Sequence, residues 1–270
     1  MPSLIRRWWF AVGLWAAMAL ALVFLVLPVV AIFTNTTPAN LIERLGDPVA
    51  TAALRLSIET SAIAIAIIVL LGTPVAFLLA TRRFPGRALV TTLVELPLVL
   101  PPAVAGIALL ASLGPRGILG GALADLHITL VLQTAGVVVA LTFVAAPFYI
   151  RQAQSSFASV ERSLLDASRT LGSGEAATFA RVAVPVAGPG LLAGVALAWA
   201  RALGEFGATL MFAGSFRGVT QTVPLAIYDQ FSSNLPAALA LSAVLVIVSA
   251  TLLVVVKLIP GSAAVGGAPR

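Results

Sequence analysis

Cysteine is absent from this chain, and only 10% of its 270 residues carry a charge. The first absence excludes disulfide frameworks and thiolate metal sites, and it assigns no compartment. The second excludes a water-soluble globule. With 60% hydrophobic residues and a mean hydropathy of +1.08, a soluble core of this size lacks the polar surface to cover it, so the bilayer is the solvent for much of the chain. Chemistry-bearing patterns are missing too. No G-x-x-x-x-G-K-[ST] loop occurs, and "GSGEAAT" at Gly172–Thr178 lacks the lysine, so the chain is not expected to hydrolyse ATP by itself. No Ser/His/Asp or paired-carboxylate arrangement falls in a plausible pocket. The single histidine, His127, has only Asp125 beside it and reads as a solvated loop residue, not a metal ligand. The formal charge of +6 comes from basic residues scattered between apolar runs, with no stripe to track a nucleic acid.

What is present is a set of long apolar runs. A spanning helix needs about 20 mostly apolar residues, because every backbone polar group has to be paired inside the segment. Six runs meet this, over residues 8–33, 60–81, 88–113, 128–150, 184–203 and 237–256. The expected fold is therefore an all-α polytopic membrane protein with one transmembrane domain over 1–270. Arg6 and Arg7 before the first run resemble a secretory signal. That run is far longer than a signal's apolar region of about 7 to 15 residues, so it is expected to stay as a helix.

Lys and Arg gather on the cytoplasmic side of a membrane protein. With the N-terminus inside, the inner face collects Arg6, Arg7, Arg82, Arg83, Arg87, Arg151, Arg162, Arg169, Arg181, Lys257 and Arg270. The outer face keeps Arg44, Arg55, Arg116 and Arg217. Both termini are expected in the cytoplasm, with Trp8, Trp9 and Trp15 at or near the inner boundary.

On this topology residues 151–183 form the longest cytoplasmic loop, and Val160–Pro185 holds Glu161, Arg162, Asp166, Arg169, Glu175 and Arg181. Leu164, Leu165, Ala167, Ser168 and Leu171 recur at spacings of three and four, which predicts small and apolar groups along one helical face. Gly172, Ser173 and Gly174 break that helix, and a second helical segment leads back to the membrane at Pro185. Two readings stay open on these residues alone: a face that docks into a groove on another protein, and an interfacial helix lying on lipid.

The spacing from Asp166 to Pro185 resembles the EAA loop of permease subunits of bacterial ATP-binding-cassette importers. That pattern is Glu-Ala-Ala, three residues, Gly, nine residues, Ile, one residue, Leu-Pro. Here it reads Asp166, Ala167, Ser168, then Gly172, then Val182, Val184 and Pro185, with each spacing kept. "ARALGEFGATLMFAGSFRGVTQTVPLAIY", Ala200–Tyr228, and "ELPLVLPPAVAGIALL", Glu95–Leu110, are similar to the molybdate branch. The resemblance implies a type I importer permease fold in the bacterial inner membrane, working as a homodimer. It also implies two copies of a separate ATPase subunit and an extracytoplasmic oxyanion-binding protein as partners, with no cofactor of its own. Leu164, Leu165, Asp166, Ala167, Ser168, Leu171, Gly172, Val182 and Pro185 would then couple to the ATPase. The cargo implied is molybdate or tungstate; a sulfate or thiosulfate permease is the alternative. An ion-coupled secondary transporter is the rival of a different class, and six spans without matching halves speak against it.

Arg201 and Glu205 stand four apart near the outer end of the fifth span. The simpler reading is an ion pair worth about 0.2 to 0.5 kcal/mol if exposed, which fixes a helix end. The sharper one makes Arg201 an anion contact or gate element, with the hydroxyls of Thr209, Thr220 and Thr222 as weak path contacts. Pro97, Pro101 and Pro102 predict a kinked or broken third span, and Gly72-Thr73-Pro74 a bend in the second.

Overall fold

The computed structural model describes residues 2–36 and 46–258, without the side chains of residues 2–7, 253, 256 and 257. Arg44 and Arg270 lie outside the described residues, as do the side chains of Arg6, Arg7 and Lys257. Every regular element among the described residues is helical. Five helices are long and apolar enough to cross a membrane, and a bent pair counted as one brings the number to six.

The first helix, α1 (Pro2–Thr34), exposes its described apolar side chains almost throughout, Trp8, Trp9 and Trp15 among them. The next helix, α2 (Pro48–Thr81), starts well before the apolar run at residue 60. Asp47 caps it by accepting from the Val49 amide at 2.9 Å, and Pro48 takes the first turn, where a missing N–H costs nothing. Arg55 and Glu59 fit that extension because they pair with each other at 2.6 Å, one turn apart. The helix runs unbroken through Pro74.

The third apolar run divides into α3 (Arg87–Val99) and α4 (Pro102–Leu113), inclined at 118°. Leu100 and Pro101 each precede a proline, which disfavours the helical region, and both are extended with ψ of 129° and 137°. The break expected from the prolines is present. Glu95 on α3 reaches Arg151 in the second half of α6 (Thr134–Ala158) at 3.4 Å. Ala105 and Leu109 on α4 share a core with Ala140 and Val144 in its first half. Between them α5 (Gly120–Asp125) and a loop close the end of the molecule opposite Arg151.

After α6 come α7 (Arg162–Thr170), the short α8 (Glu175–Thr178), a π-helical turn at Phe179–Ala183, and α9 (Val184–Leu203). The chain then breaks at Gly204 and continues through α10 (Gly207–Ala213), α11 (Val223–Phe231) and α12 (Leu235–Leu258).

Lipid tails are as apolar as leucine, so helices here are held by close packing and internal hydrogen bonds instead of by exclusion of water. Tyr149 of α6 is the clearest case. A Cβ on Gly72 of α2 would lie 3.0 Å from one edge of its ring, and a Cβ on Gly194 of α9 3.1 Å from the other. Two glycines therefore let three helices close on one buried ring. Its hydroxyl is held by Thr73 at 2.6 Å. Gly72, expected to help bend α2, serves this close approach within an unbroken helix. Hydroxyls inside the apolar helices bond their own preceding turn, as Thr60 does to the Leu56 carbonyl at 2.6 Å and Thr142 to that of Val138 at 2.8 Å. That removes the cost of carrying them into hydrocarbon.

Candidate functional site

The charge-rich loop has the helix, glycine turn and second helix that its sequence predicts, and the turn is tightly specified. Gly172 sits at φ +86°, a left-handed conformation that an L side chain adopts only at a cost. Its amide donates to the Arg169 carbonyl at 2.9 Å, and that of Ser173 to the Ser168 carbonyl at 3.1 Å. These two bonds are a Schellman cap, which ends α7 at a fixed residue.

The residues expected along one face of α7 divide between two. Leu165 is buried against the chain's own core, and the half-buried Ser168 shares a 3.0 Å hydrogen bond with the buried Thr178. Leu164, Ala167 and Leu171 point outward, with Leu171 87% exposed. Successive residues turn by about 100° on a helix, so Leu164 and Leu165 cannot share a face. The inward pair fastens α7, the outward set forms its free surface, and Asp166 lies to the side, paired with Arg169 at 2.9 Å. Val182 packs against the same core as Leu165, and Pro185 opens α9 where its lack of an N–H is harmless.

Three arginines surround the space behind α7. A cavity of about 410 Å³ between the ends of α2, α6 and α7 is lined by Arg82, Arg162, Arg169, Asp166 and Leu165. Arg82 pairs with Glu175 across 93 positions of sequence. No local pattern announces that contact, because the partners meet only once α2 and α9 lie side by side. The same holds for Trp199, whose indole N–H donates to Ser61 at 2.9 Å, and for the Val223 amide, which donates to Ser57 at 2.8 Å.

At the other end of α9 the Arg201–Glu205 pair is closed at 2.6 Å. Glu205 is 2% exposed, and its second oxygen accepts from the Ala208 amide at 2.6 Å. The carboxylate thus joins the last turn of α9 to the first turn of α10. Arg201 keeps about a quarter of its side chain exposed, 26%. Thr220 is fully buried and its hydroxyl accepts from the Phe216 amide at 2.9 Å, which closes the 216–220 turn. Thr209 and Thr222 are buried with hydroxyls that find no partner among the described residues. Of the five residues expected along a path or gate, Arg201 alone presents appreciable surface in this conformation. Glycines again allow the contact here, since a Cβ on Gly106 of α4 would lie 2.7 Å from the Ala208 carbonyl oxygen. Among the described residues no group of three metal-ligating side chains gathers.

The family model described as "Binding-protein-dependent transport system inner membrane component" matches residues 72–260. A probable transport system permease protein NifC of Clostridium pasteurianum is 36% identical over 244 residues, 90% of this chain and 85% of its own. The molybdenum transport system permease protein ModB of Mycobacterium tuberculosis is 41% identical over 231 residues, 85% of this chain and 87% of its own. A bacterial alginate transporter, solved in complex with a periplasmic protein carrying an alginate pentasaccharide, superposes with a TM-score of 0.75 at 14% identity. It covers 94% of each chain and shares the fold.

Proposed function

This chain belongs to the family of binding-protein-dependent transport system inner membrane components, and we propose that within it the chain is the permease subunit of an ATP-driven molybdate importer. The observation that carries the cargo is the 41% identity with a molybdenum transport permease over 87% of that protein. The conclusion is a non-catalytic, multi-pass membrane subunit. Two copies enclose the path, both termini face the cytoplasm, and a separate ATPase subunit sits beneath each copy.

The loop geometry supports the division of labour. The free face of α7, with Leu164, Ala167 and Leu171, offers small and apolar groups to a partner. Its other face is bolted to the permease through Leu165 and Ser168. A helix held on one side and free on the other passes a push from outside into the core. Closure of the ATPase pair on nucleotide draws the two α7 helices together, and the packed helices rock between outward-open and inward-open states. An extracytoplasmic binding protein supplies the anion. A tetrahedral oxyanion needs no fixed cation along the way, since tight binding there slows release, and Arg201 already has its charge matched by Glu205.

Reconstitution in lipid vesicles with the ATPase subunit and oxyanion-binding protein tests the reading. ATP hydrolysis and uptake rise with molybdate or tungstate as cargo. Stimulation by sulfate alone refutes the substrate.

A further inference from the structure

The charges between Val160 and Pro185 could all serve an incoming partner, yet several are engaged within this chain. Glu175, at the start of α8, accepts through one carboxylate oxygen from Arg82, the residue that caps α2. Its other oxygen lies 3.9 Å from Arg169, and Arg169 donates in turn to Asp166 at 2.9 Å. Four charges of alternating sign therefore run from the end of α2 to α7. Exposed pairs of this kind add little stability, so what they contribute is placement.

The same end of α2 also shares an aromatic joint with α6 and the π turn. Phe77 of α2 lies 5.3 Å from Phe157 of α6 and 4.9 Å from Phe179 of the π turn, centroid to centroid. The far part of α2 is tied as well, through Ser61 to Trp199 and through Ser57 to the first amide of α11. An unbroken helix of 34 residues is about 50 Å long at about 1.5 Å per residue, enough to cross the bilayer.

Resting on the permease reading above, we infer that Glu175 is a positioning residue that clasps α7 to the end of α2, so that α2 carries the motor's stroke to the opposite end of the molecule. The flanking helices α6 and α9 are joined to the loop by the chain itself. Without the clasp α2 keeps its packing and the hydrogen bonds of Thr73, Ser61 and Ser57, but loses its charged tie to α8 and through it to α7.

The test uses the whole complex of permease, ATPase and binding protein in vesicles, with molybdate uptake and ATP hydrolysis measured together. Glu175→Gln and Arg82→Gln each keep the ATPase bound and hydrolysing, while uptake per ATP falls at least about fivefold. The chain contains no cysteine, so the double variant Arg82→Cys, Glu175→Cys can be bridged with a short bifunctional thiol reagent beside thiol-free partners. Uptake per ATP is low before bridging and recovers after it, a reversal that a general packing defect does not give. Unchanged uptake per ATP in both single variants overturns the clasp, and so does a bridged form no better than the unbridged one. Loss of the ATPase from Glu175→Gln overturns it too, since the carboxylate would then belong to the docking surface. A wild-type complex with no ATP-dependent uptake brings down the permease reading and the clasp together, whereas a competent wild type with indifferent variants brings down the clasp alone.

Discussion

Glu205 carries the heaviest electrostatic duty of any residue described here. Both its oxygens are used, by Arg201 and by the Ala208 amide, and almost none of it meets solvent. Breaking a buried ion pair by removing one partner strands the other charge, and typically costs about 3 to 5 kcal/mol. Glu205→Ala should therefore cost about 3 kcal/mol, the low end, because Arg201 retains some access to water. Glu205→Gln should cost less, since its amide oxygen still accepts from Ala208. Thermal unfolding of the three proteins in one detergent checks the order wild type, Gln, Ala. Gly172 tests a different principle, backbone conformation. Nothing lies within 4 Å of where its Cβ would be, so an added Cβ meets no clash and the cost is the strain of a left-handed φ, roughly 1 to 2 kcal/mol. Gly172→Val should insert in the membrane normally but lose its ATPase subunit on affinity purification. Full retention, with unchanged transport, speaks against α7 as the docking helix.

The elements show what a linear pattern can and cannot report. Apolar runs locate the crossings because hydrocarbon demands them, yet α2 starts before its run and α6 ends after its own. α2 begins at Pro48, not residue 60, since Arg55 and Glu59 neutralise each other; α6 continues past Arg151, whose charge meets Glu95. The double proline at 101 and 102 was legible as a break. The 118° angle was not, because it depends on what α4 finds to pack against. Two-faced α7 was only half legible: spacing identifies a helix, but which leucine turns inward is decided by Phe77, Phe157 and Phe179, remote in sequence. The α6–α9 contact yields a prediction. A Cβ on Gly190 overlaps the Ser156 hydroxyl, so Gly190→Ala should destabilise the protein. Ser156→Gly in the same chain should restore most of the loss, less about 1 kcal/mol for a glycine within a helix. Unfolding midpoints of the two single variants and the double variant measure the coupling. Additive losses would falsify the contact.

At the scale of the molecule, orientation is open to direct measurement. With the termini in the cytoplasm, α7 lies inside and the turn after α11 outside. The chain lacks cysteine, so Ser163→Cys and Ser232→Cys each introduce one thiol, both at exposed positions. An impermeant maleimide added to intact cells should label the second and spare the first, and opened cells should label both. The reverse pattern moves α7 away from any cytoplasmic ATPase. A last point concerns the five-residue π turn at Phe179–Ala183. One surplus residue in a helical rod offsets everything beyond it by about 100° in azimuth. The loop side and the bilayer side of this rod are thus out of phase with each other. Excising a single residue there would leave composition, hydropathy and helix content almost untouched while turning α9 by about 100° against α8.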